Sequence, residues 1–218
     1  MKNFFSRYKH AWILSYAFIY LPWFLYLEQT VTRNYRIIHT WIDDLIPFNE
    51  YFIIPYYLWF FYVGGAIIYF FFMNRQDYYH MCVFLFTGMT ISLLVCTFYH
   101  NGTDLRPVVD PEKNICSWLV SILHNADTST NIFPSVHVFN SIGVHIAIAK
   151  SSCFKNRPWV PRLSFILAVS ICISTVVLKQ HSVVDGLGSV VMSYALYPLI
   201  YGENYAASRR KLTRKALS

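Results

Sequence analysis

An all-α membrane protein, a bundle of six transmembrane helices with interfacial helices in its outer loops, is the fold class this sequence predicts. Three observations predict it. Hydrophobic residues make up 56% of the chain and charged residues only 13%, a balance suited to lipid rather than water. The apolar residues fall in long runs instead of the alternating patterns of soluble domains. A bilayer core about 30 Å thick needs roughly 20 helical residues to cross it, and several runs approach or exceed that length.

The first run extends from Ala11 to Leu27. Lys2, Arg7 and Lys9 precede it as basic residues precede a signal peptide. It is nevertheless long, aromatic-rich and without a small-x-small cleavage pattern, so it reads as a retained helix. The second run spans Phe52 to Met73 and the third Met81 to Tyr99. The fourth, Ser135 to Ala149, is short. It reaches Phe154 if Lys150 snorkels to the headgroups, or it ends where protein shields a shallow terminus. The fifth and sixth span Val160 to Leu178 and Val183 to Tyr201. No repeat, low-complexity stretch or linker divides the sequence, so residues 1–218 read as a single membrane domain.

Six spans place both termini on one side, and the basic residues indicate which side. With a cytoplasmic N-terminus, Lys2, Arg7, Lys9, Arg75, Lys150, Lys155, Arg157, Arg162, Arg209, Arg210, Lys211, Arg214 and Lys215 fall inside, 13 of 18. Arg33, Arg36, Arg106, Lys113 and Lys179 fall outside with most of the acidic residues. This is the positive-inside pattern. The net charge of +7 is therefore mainly a topology signal, and the tail from Arg209 to Lys215 is expected against anionic inner-leaflet lipid. Nucleic acid is a poor partner for charge so distributed; the expected partner is the bilayer, and the expected location the plasma (cytoplasmic) membrane. Oligomeric state leaves no trace in the sequence.

The five cysteines, Cys82, Cys96, Cys116, Cys153 and Cys172, show no paired spacing and mostly sit in or beside apolar runs. They suggest neither a disulfide framework nor a zinc knuckle. The two long outer segments, residues 28–51 and 100–134, mix Trp, Tyr and Pro with charge. In the first, Trp41, Leu45, Ile46 and Phe48 are expected in the headgroup region while Asp43, Asp44 and Glu50 face water. In the second, Trp118, Leu119, Ile122 and Leu123 suggest a short surface helix.

Three polar clusters come to the outer face, each costly in a membrane: Leu105-Arg106-Pro107, Phe133-Pro134-Ser135-Val136-His137, and Lys179-Gln180-His181-Ser182-Val183-Val184-Asp185. Ionisable groups at helix ends inside a bundle are functional candidates. Pro134 suits the first turn of a helix. The free backbone N–H groups and dipole of that helix entrance form a seat for a phosphate oxygen, to which the Ser135 hydroxyl adds a donor. His181 and Asp185 are four apart and share a helix face. A carboxylate accepting a proton from one imidazole nitrogen fixes the tautomer and makes the other nitrogen a better nucleophile. His137, from another helix, is placed to protonate the leaving oxygen. Arg106 and Lys179 are the candidates to balance charge on the phosphoryl oxygens. The remaining histidines, His10, His39, His80, His100, His124 and His145, read as structural.

These residues resemble the type 2 phosphatidic acid phosphatase superfamily, whose three-part signature lies in the second half of a six-helix membrane core. Arg106-Pro107 matches the end of the first part. Pro134-Ser135-Val136-His137 matches the second, with Val136 in place of Gly. Ser174, His181 and Asp185 match the third. The resemblance covers roughly residues 80–200, the expected catalytic core. It implies that His181 attacks phosphorus to form a phosphohistidine, that His137 acts on the leaving group, that Asp185 orients the nucleophile, and that no metal or other cofactor takes part. The implied substrate is a lipid phosphate, phosphatidate-like or an isoprenoid (pyro)phosphate, hydrolysed at the outer face.

Two positions depart from the signature. Tyr99 stands where the first part has Lys, and Thr175 where the third has Arg. A phosphomonoester approaches a charge of about −2 near neutral pH, so a pocket short of two cations suits a diester better, with Lys179 restoring one charge. The spacing around His137 and His181 is also similar to that of sphingomyelin and inositol phosphorylceramide synthases, which move a phospho-headgroup onto a lipid alcohol. Headgroup transfer is therefore the second reading. A non-catalytic lipid-binding scaffold and a zinc hydrolase built on the same two His and Asp complete the alternatives.

Overall fold

Lipid solvates no backbone polar groups, so apolar stretches of this length close their hydrogen bonds internally as helices. In a computed structural model, which describes residues 8–202, almost all regular structure is helical. Five helical stretches are long and apolar enough to cross a membrane: Lys9–Thr30, Glu50–Met73, Arg75–Phe98, Trp159–Val177 and Val183–Tyr201. The basic residues predicted at the two chain ends, Lys2 and Arg7, and Arg209 to Lys215, lie outside the described residues.

The first stretch opens as a 3-10 helix, Lys9–Tyr16, and continues as α1 (Ala17–Thr30). A two-residue strand β1 (Arg36–Ile37) and a one-turn helix α2 (Trp41–Leu45) follow, and a 3-10 turn, Glu50–Phe52, leads into α3 (Ile53–Met73). The third stretch, α4 (Arg75–Phe98), begins six residues before the predicted Met81. The reason is local: Asn74 Oδ1 accepts the backbone N–H groups of Gln76 (3.0 Å) and Asp77 (3.1 Å) and caps the helix there. Strand β2 (Asn101–Gly102) pairs in parallel with β1, in the register Arg36 to Asn101 and Ile37 to Gly102. Then come α5 (Ile115–Ala126), α6 (Val136–Lys150), α7 (Trp159–Val177) and α8 (Val183–Tyr201).

Helix α6 is the centre of the bundle and packs against α3, α4, α7 and α8. Its approach to α4 depends on Gly88, where a Cβ would come within 2.0 Å of the Phe139 ring. That ring is fully buried and stacks on Phe84 at 4.9 Å between centroids. Two of the sequence expectations fail here. Pro134 lies before the helix instead of in its first turn, because Ser135 takes the N-cap and its Oγ accepts the Val138 N–H (3.4 Å). Asp43 and Glu50 are buried, at 0% and 6% exposure, whereas Asp44 is exposed. A buried carboxylate needs partners. Glu50 finds Lys113 (2.6 Å) and the Asn114 amide (3.1 Å), and the partners of Asp43 belong to the site below.

Candidate active site

Four connections meet at one end of the bundle. Asn101, with no exposed surface, holds the segment ahead of α6: its Oδ1 accepts the N–H groups of Ile132 and Phe133, both at 2.9 Å. Glu28, at the end of α1, accepts Thr128 N (3.2 Å), Thr128 Oγ1 (2.6 Å) and Asn131 Nδ2 (2.9 Å). The loop between α5 and α6 is thereby fastened to α1 on one side and to β2 on the other.

His137 sits in the first turn of α6, its ring between Tyr56 (4.6 Å between centroids) and Trp59 (4.3 Å) of α3. His181 ends the short connection from α7 to α8, with its ring centroid 5.8 Å from that of His137. The two histidines reach one point from different helices, and both line a cavity of about 460 Å³. The turn that delivers His181 is tight: the Thr175 carbonyl accepts both Gln180 N (3.0 Å) and His181 N (3.1 Å), and Lys179 adopts a left-handed φ of 58°.

Behind His181 lies Asp185, with no exposed surface and Oδ2 3.4 Å from His181 Nδ1. The contact is at ion-pair range and not yet a formed hydrogen bond, since Nδ1 has no hydrogen-bond partner. The same Oδ2 accepts the Ser182 N–H at 2.9 Å, closing a capping box at the start of α8. The predicted proximity of His181 and Asp185 is present, but not on a shared helix face: His181 precedes the Ser182 N-cap, and Asp185 in the first turn of α8 reaches back to it while also serving as a helix cap.

The three predicted phosphate-binding residues are placed differently. Ser135 is fully buried: its Oγ caps α6, its N–H donates to the Asp185 carbonyl (3.3 Å) and its own carbonyl accepts from Ser189 Oγ (2.7 Å). It ties α6 to α8 and does not line the cavity. Lys179 turns away as well, and its Nζ donates to the Asp43 backbone carbonyl in α2. Arg106 donates from Nη1 to the Asp127 carbonyl (2.6 Å), and from Nη2 to the Thr128 carbonyl (2.7 Å) and Asp127 Oδ2 (3.3 Å). It lines a second cavity, of about 390 Å³, whose wall shares Asp127 and Thr130 with the first.

Sequence reasoning missed Asp43. Its Oδ2 accepts Ser182 Oγ (2.6 Å), Thr40 N (2.8 Å) and Thr40 Oγ1 (2.9 Å), and Oδ1 accepts Val183 N (2.8 Å). A carboxylate from an outer loop thus occupies the N-terminus of α8, a position suited to an anion. Burial works against its charge, but the Ser182, Val183 and Thr40 bonds outweigh that and hold its pKa below the usual carboxylate value. His124, read from the sequence as structural, also borders the site. It lines the second cavity, and burial, then Arg106, push its pKa down to about 4. Gln180 Nε2 donates to His124 Nε2 (2.9 Å), which requires that nitrogen to be unprotonated. Asp127 moves the other way: burial raises its pKa despite Arg106. The polar run Asp127-Thr128-Ser129-Thr130-Asn131, just ahead of Phe133-Pro134, was the one sequence signal for this wall.

Among the described residues, no group of three or more His, Cys, Asp or Glu side chains is arranged to hold a metal ion. No family model, curated protein or solved structure matches the chain.

Proposed function

We propose that this chain is an integral membrane enzyme that breaks a phosphoester bond on a lipid substrate, with His181 as nucleophile, Asp185 orienting it and His137 as general acid. One observation carries the reading. Two imidazoles from separate helices meet at a single cavity, one of them backed by a buried carboxylate, at a helix end where ionisable groups are otherwise expensive. Asp185 faces Nδ1 of His181, which leaves Nε2 as the attacking atom. The order Arg106-Pro107, Pro134 to His137, then His181 and Asp185 supports kinship with the type 2 phosphatidic acid phosphatases and a phosphohistidine intermediate formed without metal.

The same reading makes α6 a sixth span. Its 15 residues cover only about 22 Å, but four helices surround it, so protein and not lipid meets its ends. The exposed Trp41 and Leu45 of α2 and Ile115 and Trp118 of α5 are read as resting in the headgroup layer. The site then faces outward. Arg75, Lys150, Lys155, Arg157 and Arg162 lie at the inner end, and both termini are cytoplasmic at the plasma membrane.

Headgroup transfer to a lipid alcohol is the second reading, and the occupied cations favour it: Arg106 is bound to backbone carbonyls and Lys179 to α2, so little positive charge is free for a dianionic monoester. The experiment is to incubate purified protein with lipid monophosphates, isoprenoid pyrophosphates and phosphodiesters, with and without chelator, and to identify both products by mass. We expect turnover that survives chelation and that His181→Ala abolishes. Wild-type turnover in that variant removes the nucleophile assignment, and zinc-dependent turnover removes the metal-free mechanism.

A further inference from the structure

The cavity around His137 and His181 is short of cations and supplied with unmet hydrogen-bond acceptors. Glu28 and Asp127 line it, and Asp185 lies directly behind His181. Against these three carboxylates stands Arg106, the guanidinium bonded to Asp127. Even with His137 protonated for its acid role, carboxylates outnumber cations here. A monoester dianion would deepen that imbalance, whereas a zwitterionic ligand adds no net charge and can set its cation beside the carboxylates.

A second observation is independent of charge. Gln180 is 1% exposed and lines the same cavity. Its Nε2 donates to His124 Nε2 and to the Leu178 carbonyl (3.3 Å), while its Oε1 is buried with no donor. Asn131 repeats the pattern: Nδ2 donates to Glu28 and Thr130, and Oδ1 is buried without a donor. Buried acceptors in folded proteins are nearly always paired, and these two belong to residues of the cavity wall with no protein donor to serve them. Tyr20, Phe24, Tyr57 and Phe60 are among the aromatic side chains of the lining, and ring faces also attract cations.

We propose that the part of the cavity bounded by Glu28, Asp127, Asn131 and Gln180 binds the primary ammonium of a zwitterionic phospholipid headgroup, setting its phosphodiester beside His181. This rests on the phosphoester reading above. A primary ammonium brings three N–H donors to a set of acceptors, whereas a trimethylammonium brings none and leaves Gln180 Oε1 and Asn131 Oδ1 unmet. The site therefore selects an ethanolamine-type headgroup over a choline-type one. In the reaction, His181 Nε2 attacks phosphorus and the bond from phosphorus to the diacylglycerol oxygen breaks. That oxygen leaves with the proton from His137. The amino-alcohol phosphate stays on His181 until the oxygen of water or of a lipid alcohol displaces it, and the proton of that hydroxyl returns to His137.

The test uses the purified full chain in mixed micelles with phosphatidylethanolamine, phosphatidylcholine or phosphatidic acid, reading diacylglycerol release against a His181→Ala blank. A hydrogen bond to a charged group sets the expected preference for the ethanolamine lipid over the choline lipid at roughly ten- to hundredfold. Glu28→Gln should bring that ratio toward unity. Because Glu28 also fastens the loop between α5 and α6, Asp127→Asn supplies the same test from the other side of the cavity. The ratio is internal to each preparation and does not depend on how much protein folds. A ratio near unity in the wild type, or an unchanged ratio in both variants, overturns the ammonium site. Phosphatidic acid consumed fastest, and only with His181 intact, overturns it while leaving the phosphoester reading in place. Release no greater than the His181→Ala blank for every lipid removes both.

Discussion

Replacing Asp43 with alanine breaks the contact between an outer loop and the segment that carries His181, together with the two Thr40 bonds that cap the exposed single turn α2. The substitution leaves the Asp43 carbonyl, and so the Lys179 contact, in place. It removes the acceptor of Ser182 Oγ and of Val183 N at the start of α8, and both bonds are short, at 2.6 and 2.8 Å. Hydrogen bonds to a charged acceptor contribute about 1.5–3 kcal/mol each, so the two together reach about 3–6 kcal/mol. Helix α2 is a single turn with Trp41 and Leu45 exposed. It can swing away and admit water to the orphaned donors, which holds the loss near the lower end, about 3 kcal/mol. For a chain of this size, at about 2–4 °C per kcal/mol, the thermal midpoint in detergent should fall by roughly 10 °C. Asp43→Asn keeps an oxygen acceptor and the volume but not the charge, and should lose about half as much. Hydrogen exchange locates the effect: amides from Lys179 to Val183 should lose protection in Asp43→Ala while those of α4 keep theirs. A midpoint within about 2 °C of wild type, with unchanged protection at Lys179 to Val183, would refute the clamp.

Three further outcomes follow from the same geometry. His137→Gln keeps ring-sized volume between Tyr56 and Trp59 but carries no transferable proton, so turnover should fall by about 10² to 10⁴ with the thermal midpoint little changed; a variant as active as wild type would return His137 to a packing role. Gly88→Ala drives a methyl into the buried Phe139 ring, and overpacking of this kind costs about 1–3 kcal/mol, which a thermal melt should register and Phe139→Leu in the same chain should partly restore. His39 bridges Asp44 (2.8 Å) and Asp104 (2.9 Å), and its pKa is raised, first by the Asp44 hydrogen bond. A raised folded value means that the bridge contributes fully below about pH 6.5 and is lost as pH rises through that folded value. An NMR titration of His39 should therefore give a midpoint above 6.5, and Asp44→Asn should lower it; a midpoint at or below 6.5 would show that the bridge is not populated.

Five of the six expected spans were legible because membrane helices carry their signal in length and apolarity, with no partner needed to read it; the short fourth run, helix Val136–Lys150, does not reach that length. The ends of α8 were read to the residue, whereas α4 begins six residues ahead of the predicted Met81, in a polar stretch that Asn74 caps and where hydropathy is silent, and ends one residue short of Tyr99. Within the candidate site, what could be read was what lies close in sequence: His181 and Asp185 are four residues apart and do meet, though across the N-cap of α8 and not along one helix face. What could not be read depends on distant segments. Asp43 and Ser182 are 139 residues apart, and nothing in the sequence around Asp43 shows that it will be buried. Lys179 carries a charge that seemed suited to a phosphate, but a left-handed turn directs it to α2. Arg106 was singled out as a cation, yet backbone carbonyls of the next loop had first claim on its guanidinium.

The wall shared by the two cavities, Asp127 and Thr130, gives the site two addresses at once. One chamber is lined by Tyr20, Leu21 and Phe24 of α1 and by Tyr57 and Phe60 of α3, surfaces on which acyl chains can rest. The other is lined by the polar side chains of Thr32, Arg106, His124, Thr128 and Ser129, groups suited to water. On the proposed reading, a lipid would not have to be pulled from its leaflet to meet a reagent dissolved in the aqueous phase. Lifting it out would cost about 0.8 kcal/mol for every methylene exposed, far more than any headgroup contact returns. On that reading the molecule would leave the tails where they are and work at a boundary only one loop thick, with substrate and co-reactant arriving from different solvents.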